Sequence, residues 1–257
     1  MKHTLIMRLA GPMQSWGIDS RFSIRDTLSE PSKSGVIGIL CAALGWDRQW
    51  ETMEIAGKRR TLIELDMMRY GIRVLQEGSR RRDYHTALEV LRSNAKIKAK
   101  GKRSQSEVGT VVSERHYLSD AHFLVGLESS ERPLLEALDV ALHHPHWPLA
   151  LGRKSFIPSS PVRFSLDQNQ NILNAGLVEA LLDVNDPQFI HQKVSGDGQE
   201  SADNRFILDL GADTSALSSS HEQISQVQRT DVPLSFSERR FAPREVLTYM
   251  PKSHVHL

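Results

Sequence analysis

The sequence predicts an α+β fold: a ferredoxin-like domain interrupted by a long β-hairpin and followed by a smaller region of short strands. Three observations carry this prediction. Apolar periodicity runs strand, helix, strand, strand, helix through the first part of the chain, most of a split βαβ unit. A segment over about residues 80–115, between the second and third of those strands, far exceeds the roughly 2–5 residues of a simple hairpin loop. Beyond about residue 150, proline and glycine punctuate the chain into short strands. The expected division is therefore 1–150 and 151–257.

Each element has its own signal. Leu5, Met7 and Leu9 alternate with Thr4 and Arg8, the pattern of a half-buried strand over residues 3–9. "GPMQSWG" (11–17) then reads as a turn with glycine at both ends. "SEPSKSGVIGILCAALG" opens with serines and a proline and closes on Gly45, which predicts a capped helix over 34–44. Residues 61–75 and 115–128 read as strands, and Leu134, Leu135, Leu138 and Leu142 place a helix over 131–144. A last helix is expected near 172–183, before the polar loop 195–204.

Composition narrows the function classes. An apolar share of 39% with 25% charged residues fits a soluble globular chain. Arg8 interrupts the first apolar run, and no run reaches the roughly 20 residues that span a bilayer. One cysteine, Cys41, makes no internal disulfide, so a cytoplasmic setting is expected. No phosphate-loop or dinucleotide spacing is present, and "HHPHW" and "HVHL" lack companions at ligand spacing, so neither cofactor, metal nor small-molecule substrate is expected.

Charge is concentrated. The formal net charge is only +1, yet residues 80–103 alone carry +7 and the remainder −6. Within that window Lys96, Lys98, Lys100 and Lys102 share one parity with Asn94, while Ala95, Ile97 and Ala99 share the other. As a strand this segment has one cationic face, with ammonium groups about every 6.6 Å, a spacing that can follow the phosphates of an extended single strand. Arg80, Arg81, Arg82, Arg103 and Arg115 flank it with planar donors that grip phosphates bidentately. The expected partner is a single-stranded polyanion, and the alternative is a solvated lysine loop.

"LIMRLAGPMQSWG", "PSKSGVIGILCAALG", "RRDYHT", "SERHYLSDAHFLVGLE", "PLALGRKSFIPSSP" and "FSERRFAPREV" occur in this order. Together they resemble the fifth-family RAMP subunits of the type I-E CRISPR surveillance complex, Cascade. The resemblance implies a non-catalytic subunit that caps the 5′ handle of the guide RNA, with the long insertion as its thumb. It further implies contact with the backbone subunit and the large subunit, and with target DNA through the complex. By motif position, the candidate RNA-binding residues are Gln14, Ser15 and Trp16 in the first loop, Lys33 and Ser34 at the helix start, and Arg80, Arg81, Arg82, Lys96 and Lys98 in the thumb. Gly152, Arg153 and Lys154 form a glycine-containing loop.

Two alternatives stay open at this level. Some relatives in other CRISPR subtypes are metal-independent endoribonucleases, for which Tyr84, His85, His116 and Tyr117 would be the acid and base candidates. A stand-alone protein that binds any single-stranded RNA would bind without sequence preference and with strong salt dependence.

Overall fold

The computed structural model describes residues 1–17, 20, 21, 23–91, 108–165, 171–184, 186 and 204–252. Its chain order is β1 (His3–Gln14), β2 (Ser20–Arg21), β3 (Ile24–Arg25), α1 (Lys33–Leu44), β4 (Thr52–Ile55), β5 (Lys58–Thr61), α2 (Leu62–Asp66), β6 (Arg69–Gln76), β7 (Ser79–Leu91) and β8 (Val108–Ser129). There follow α3 (Arg132–His143), β9 (Ile172–Leu173), α4 (Leu177–Asp183), β10 (Arg205–Asp209), β11 (His221–Ser235) and β12 (Arg240–Pro251). Sheet dominates, with helices on both faces, as the α+β expectation required at that level. No helix among the described residues is long and apolar enough to cross a membrane.

One sheet of the described residues runs β11-β12-β10-β6-β8-β1-β9, with β7 and the short β3 also bonded to β8. Strand β8 is the spine. Its second half pairs antiparallel with β1 on one side, from Gln14↔Leu118 to His3↔Ser129, and with β6 on the other. Its first half pairs with β7, from Ser79↔Ser119 to Leu91↔Val108, so the ribbon that begins the long insertion is continuous with the sheet. Gly78 makes the β6–β7 corner: its φ is +71°, and a Cβ there would lie 2.6 Å from the Ser119 carbonyl.

β1 extends past the turn expected at Gly11 and ends at Gln14. It is also buried on both faces, not half-buried. Leu5, Met7 and Leu9 join the core beneath α1 and α3, whereas Ile6 joins a second core beneath α4. Arg8 is tolerated there because Asp186 accepts from its Nη2 at 2.9 Å and its Nε at 2.5 Å, and the His122 ring lies 2.9 Å from the same carboxylate.

The helices form for the reasons their sequences supply. Ser32 caps α1 by accepting from the Gly35 N–H at 3.2 Å, and Gly45 ends the helix in the left-handed region at φ +75°. All four α3 leucines named above are buried. The last helix is shorter than expected, because Ile172 and Leu173 bond to Leu5 and Thr4 of β1 as β9, and α4 starts only at Leu177. Gly71 and Gly126 face each other across β6 and β8, and a Cβ on either would come within 2.9 Å of Leu177, so α4 rests on bare backbone.

The C-terminal strands extend the same sheet. β10 pairs with β6 and with β12, and Ile207 and Val246 belong to the core beneath α1 and α3. The β11–β12 hairpin crosses the start of α1, where Asp231 accepts from the Lys33 N–H at 2.8 Å.

Candidate nucleic-acid interface

An open cleft of about 490 Å³ lies where the loop after β1, strand β3, the start of α1, strand β8 and the loop at Gly152 meet. Backbone bonds bring these segments together. Ser15 N–H donates to the Leu151 carbonyl at 3.0 Å, Leu28 N–H to Trp16 at 2.9 Å, and Glu114 N–H to Ser23 at 2.8 Å. The parallel β3–β8 pairing puts Arg25 directly beside Arg115. Gly152 has φ +94°, and a Cβ on it would lie 1.8 Å from the Ser15 carbonyl, so only glycine closes this wall.

Three guanidinium groups converge there: Arg25, Arg115 and Arg153. Arg115 Nε donates to Ser113 Oγ at 3.0 Å, and Arg153 Nη2 donates to the His116 carbonyl at 2.8 Å. The Arg153 guanidinium also lies 5.2 Å from the Phe156 ring centroid. Burial lowers the Arg153 pKa, and the nearby Arg115 and Arg25 cations push the same way against Asp83. An anion placed between Arg153 and these two cations would relieve their repulsion. Among the described residues Asp26 is the one acid lining the cleft; its Oδ1 accepts from Thr27 N–H at 2.7 Å and from the Arg80 guanidinium.

The sequence candidates divide sharply. Gln14 is fully buried, its amide donating to the Leu9 and Ala121 carbonyls at 3.2 and 2.7 Å while its oxygen accepts from Trp16 Nε1 at 3.2 Å. Trp16 is only 1% exposed, with its ring over the first turn of α1 where a Cβ on Gly35 would come within 2.9 Å, so no face of it is open for a base to stack on. Ser15 is buried, its hydroxyl 3.4 Å from the His116 carbonyl, and Ser34 lies at the cleft wall.

Lys33 is placed differently from the expectation that it faces a phosphate. It is buried, and its ammonium donates to the Asp66 carbonyl at 2.8 Å and to Asp209 at 3.0 Å, with the Asp66 carboxylate at 3.2 Å. Its own N–H is taken by Asp231, so the anion at the start of α1 is a side chain of the protein. Arg244 completes this cluster by pairing with Asp231 at 2.7 and 3.0 Å and with Asp209. Burial alone would lower the Arg244 pKa, but the Asp231 hydrogen bonds and the Asp209 charge outweigh it and raise the pKa.

The ribbon carries its cations outward. Arg80, Arg81 and Arg82 are exposed, with Arg82 3.4 Å from Glu114, and Lys154 is exposed in the Gly152 loop. Lys96, Lys98, Lys100, Lys102 and Arg103 lie outside the described residues. The register also separates the histidines. Arg82 pairs with His116 and Tyr84 with Glu114, which puts these four on one face, whereas His85 with Ser113 and Arg81 with Tyr117 fall on the other. Tyr117 packs on Phe156 at 5.9 Å.

Arg25 is the cleft arginine that the sequence does not single out. It lies in "RFSIRDT", outside the charge-dense window, and only the β3–β8 register brings it beside Arg115. Among the described residues no group of three or more His, Cys, Asp or Glu could hold a metal ion. Cys41 is buried, which pushes its thiol up to about 12.

The family described as CRISPR-associated protein (Cas_Cas5) matches residues 4–247. The Cascade subunit CasD of Escherichia coli K12 is 34% identical over 165 residues, covering 60% of this chain and 67% of that protein. A solved Cas protein crystal structure is 35% identical with TM-score 0.61, covering 97% of this chain and 95% of the other. A chain of a CRISPR RNA-guided surveillance complex is 28% identical with TM-score 0.62 over 96% of this chain and 91% of its own. A match spanning almost the whole sheet, together with relatives similar in both sequence and fold, places this chain in the CRISPR-associated Cas_Cas5 family.

Proposed function

We propose that this chain is a non-catalytic, cytoplasmic subunit of a type I-E CRISPR surveillance complex, in which it caps the 5′ handle of the guide RNA and bridges the backbone and large subunits. The observation that carries the reading is the convergence of Arg25, Arg115 and Arg153 in one cleft at the root of the β7–β8 ribbon. Arginines so placed grip backbone phosphates and set the register of a strand, leaving sequence to be read elsewhere. Relatives named as a Cascade subunit and as part of an RNA-guided surveillance complex support the assignment to such an assembly.

On this reading the order β1-β8-β6, with α1 and α3 over one face, is most of a ferredoxin-like unit within residues 1–150, and β9 supplies its edge strand from beyond that bound. The β7–β8 ribbon is then the base of a thumb hairpin, and residues 151–257 add the glycine-containing loop and the strands that widen the sheet. Absence of cleavage is part of the proposal. Acid and base catalysis on a 2′-hydroxyl requires two groups within reach of one phosphate; the register puts His85 and His116 on opposite faces of the ribbon, which leaves each with only a tyrosine, Tyr117 or Tyr84, on its own face.

Co-expression with the neighbouring genes and the repeat array tests the assignment. We expect a stoichiometric ribonucleoprotein with one defined RNA 5′ end, and we expect Arg25→Ala, Arg115→Ala and Arg153→Ala together to remove this chain from the particle. Full retention by the triple variant overturns the reading. Repeat RNA incubated with the purified chain in chelator should stay intact, and cutting that His116→Ala abolishes would establish a nuclease instead.

A further inference from the structure

Three arginines build the cleft for anions, yet a carboxylate lines it. Asp26 stands with Arg25, Arg115 and Arg153, and half of its side chain, 50%, is exposed. Thr27 N–H and Arg80 hold its Oδ1 from two sides, so the carboxyl group is oriented before any ligand arrives. A carboxylate accepts hydrogen bonds and donates none, and beside a phosphate it repels. In a site that only gathered phosphates this group would lower affinity. A ribonucleotide strand, however, presents a backbone donor that a deoxyribonucleotide strand lacks, the 2′-hydroxyl.

We infer that Asp26 is a specificity-determining residue that accepts a hydrogen bond from a ribose 2′-hydroxyl of the strand whose phosphates the arginines hold. The cleft thereby selects RNA over single-stranded DNA. This rests on the reading of the cleft as an RNA site. A base amino or imino N–H is the other donor a nucleotide offers, but it lies farther from the phosphates and depends on sequence. The 2′-hydroxyl is present at every nucleotide.

The test is fluorescence anisotropy of the full chain, at one salt concentration, with a labelled single-stranded RNA octamer, the same octamer as DNA, and its 2′-O-methyl form. Wild type should bind RNA about tenfold tighter than either analogue, the value of one charge-assisted hydrogen bond. Asp26→Ala should bring the three within about twofold, chiefly by improving DNA binding, at an unchanged melting temperature because the residue is half exposed. Arg80→Ala should weaken all three equally and keep the ratio, which separates the acceptor from its ion-pair partner. Oligo-A and oligo-U should show the same RNA preference.

An Asp26→Ala variant with an unchanged ratio overturns the inference, as does wild type that binds RNA and DNA alike. A preference between oligo-A and oligo-U, in either direction, that Asp26→Ala abolishes overturns it in favour of a base donor. If Arg115→Ala and Arg153→Ala leave RNA affinity untouched, the cleft reading itself fails, and the inference fails with it.

Discussion

Lys33 and Arg153 both sit in short motifs where a cation beside glycine or serine suits a phosphate, and folding sends them to opposite fates. Lys33 turns inward between Asp66 and Asp209, whereas Arg153 stays at the cleft, held by a carbonyl and an aromatic ring. The difference is testable. Removing one member of a buried ion cluster leaves uncompensated charge, so Lys33→Met should cost about 3–5 kcal/mol of stability. Urea unfolding should show that loss, while RNA affinity of the folded protein stays at the wild-type value. Loss of RNA affinity with full stability would return Lys33 to the binding surface. Gln14 and Trp16 follow the same logic, their polar atoms satisfying each other and nearby carbonyls.

The β7–β8 ribbon is the element that exposes charge. Its inner end is anchored beside the sheet by Leu118, while Arg80, Arg81 and Arg82 stand exposed on strand β7. Phosphate contacts release counterions, and for a single strand each one steepens the fall of log affinity with log salt by about 0.7. Replacing Arg80 and Arg82, which share one face of the ribbon, with glutamine should therefore flatten that slope by about 1.4 and weaken binding equally across RNA sequences. An unchanged slope in a salt titration would show that the ribbon does not touch the backbone.

Over the whole molecule, carboxylates ahead of the helices tie them to neighbouring strands, Glu30 to Arg205 and Arg229 and Glu131 to Arg60 and Lys58, and this sets an acid limit. Burial alone would raise the Glu30 pKa, but Arg229, Ser29 and Arg205 outweigh it and hold the group below its ordinary 4.5. Glu131 is held at about 2 by hydrogen bonds from Arg60 and Lys58. A pKa depressed on folding gives stability that is present above the unfolded value and is lost as pH falls through the folded one. Asp66, raised by burial against the pull of Lys33, works in the opposite sense and offsets part of this. Melting temperature should therefore be steady above pH 4.5 and drop between there and about 2. Glu30→Gln should melt lower at neutral pH and show a shallower drop across that window; an identical drop would remove Glu30 from the account.

What the sequence determined by itself is what local physics writes locally. Ser32 and Gly45 mark the ends of α1, the leucines of α3 mark its buried stripe, and the count of charges marks residues 80–103 as the stretch where positive charge is concentrated. The family was legible too, because its motifs are contiguous runs. Tertiary structure alone decided which cations line the cleft. Arg25 reaches the cleft through a parallel pairing with a strand 90 residues farther along the chain, and Lys33 leaves it because Asp66, Asp209 and Asp231 arrive from elsewhere. No local pattern encodes such meetings: a side chain's role is set by which distant charges the fold places within a few ångströms of it.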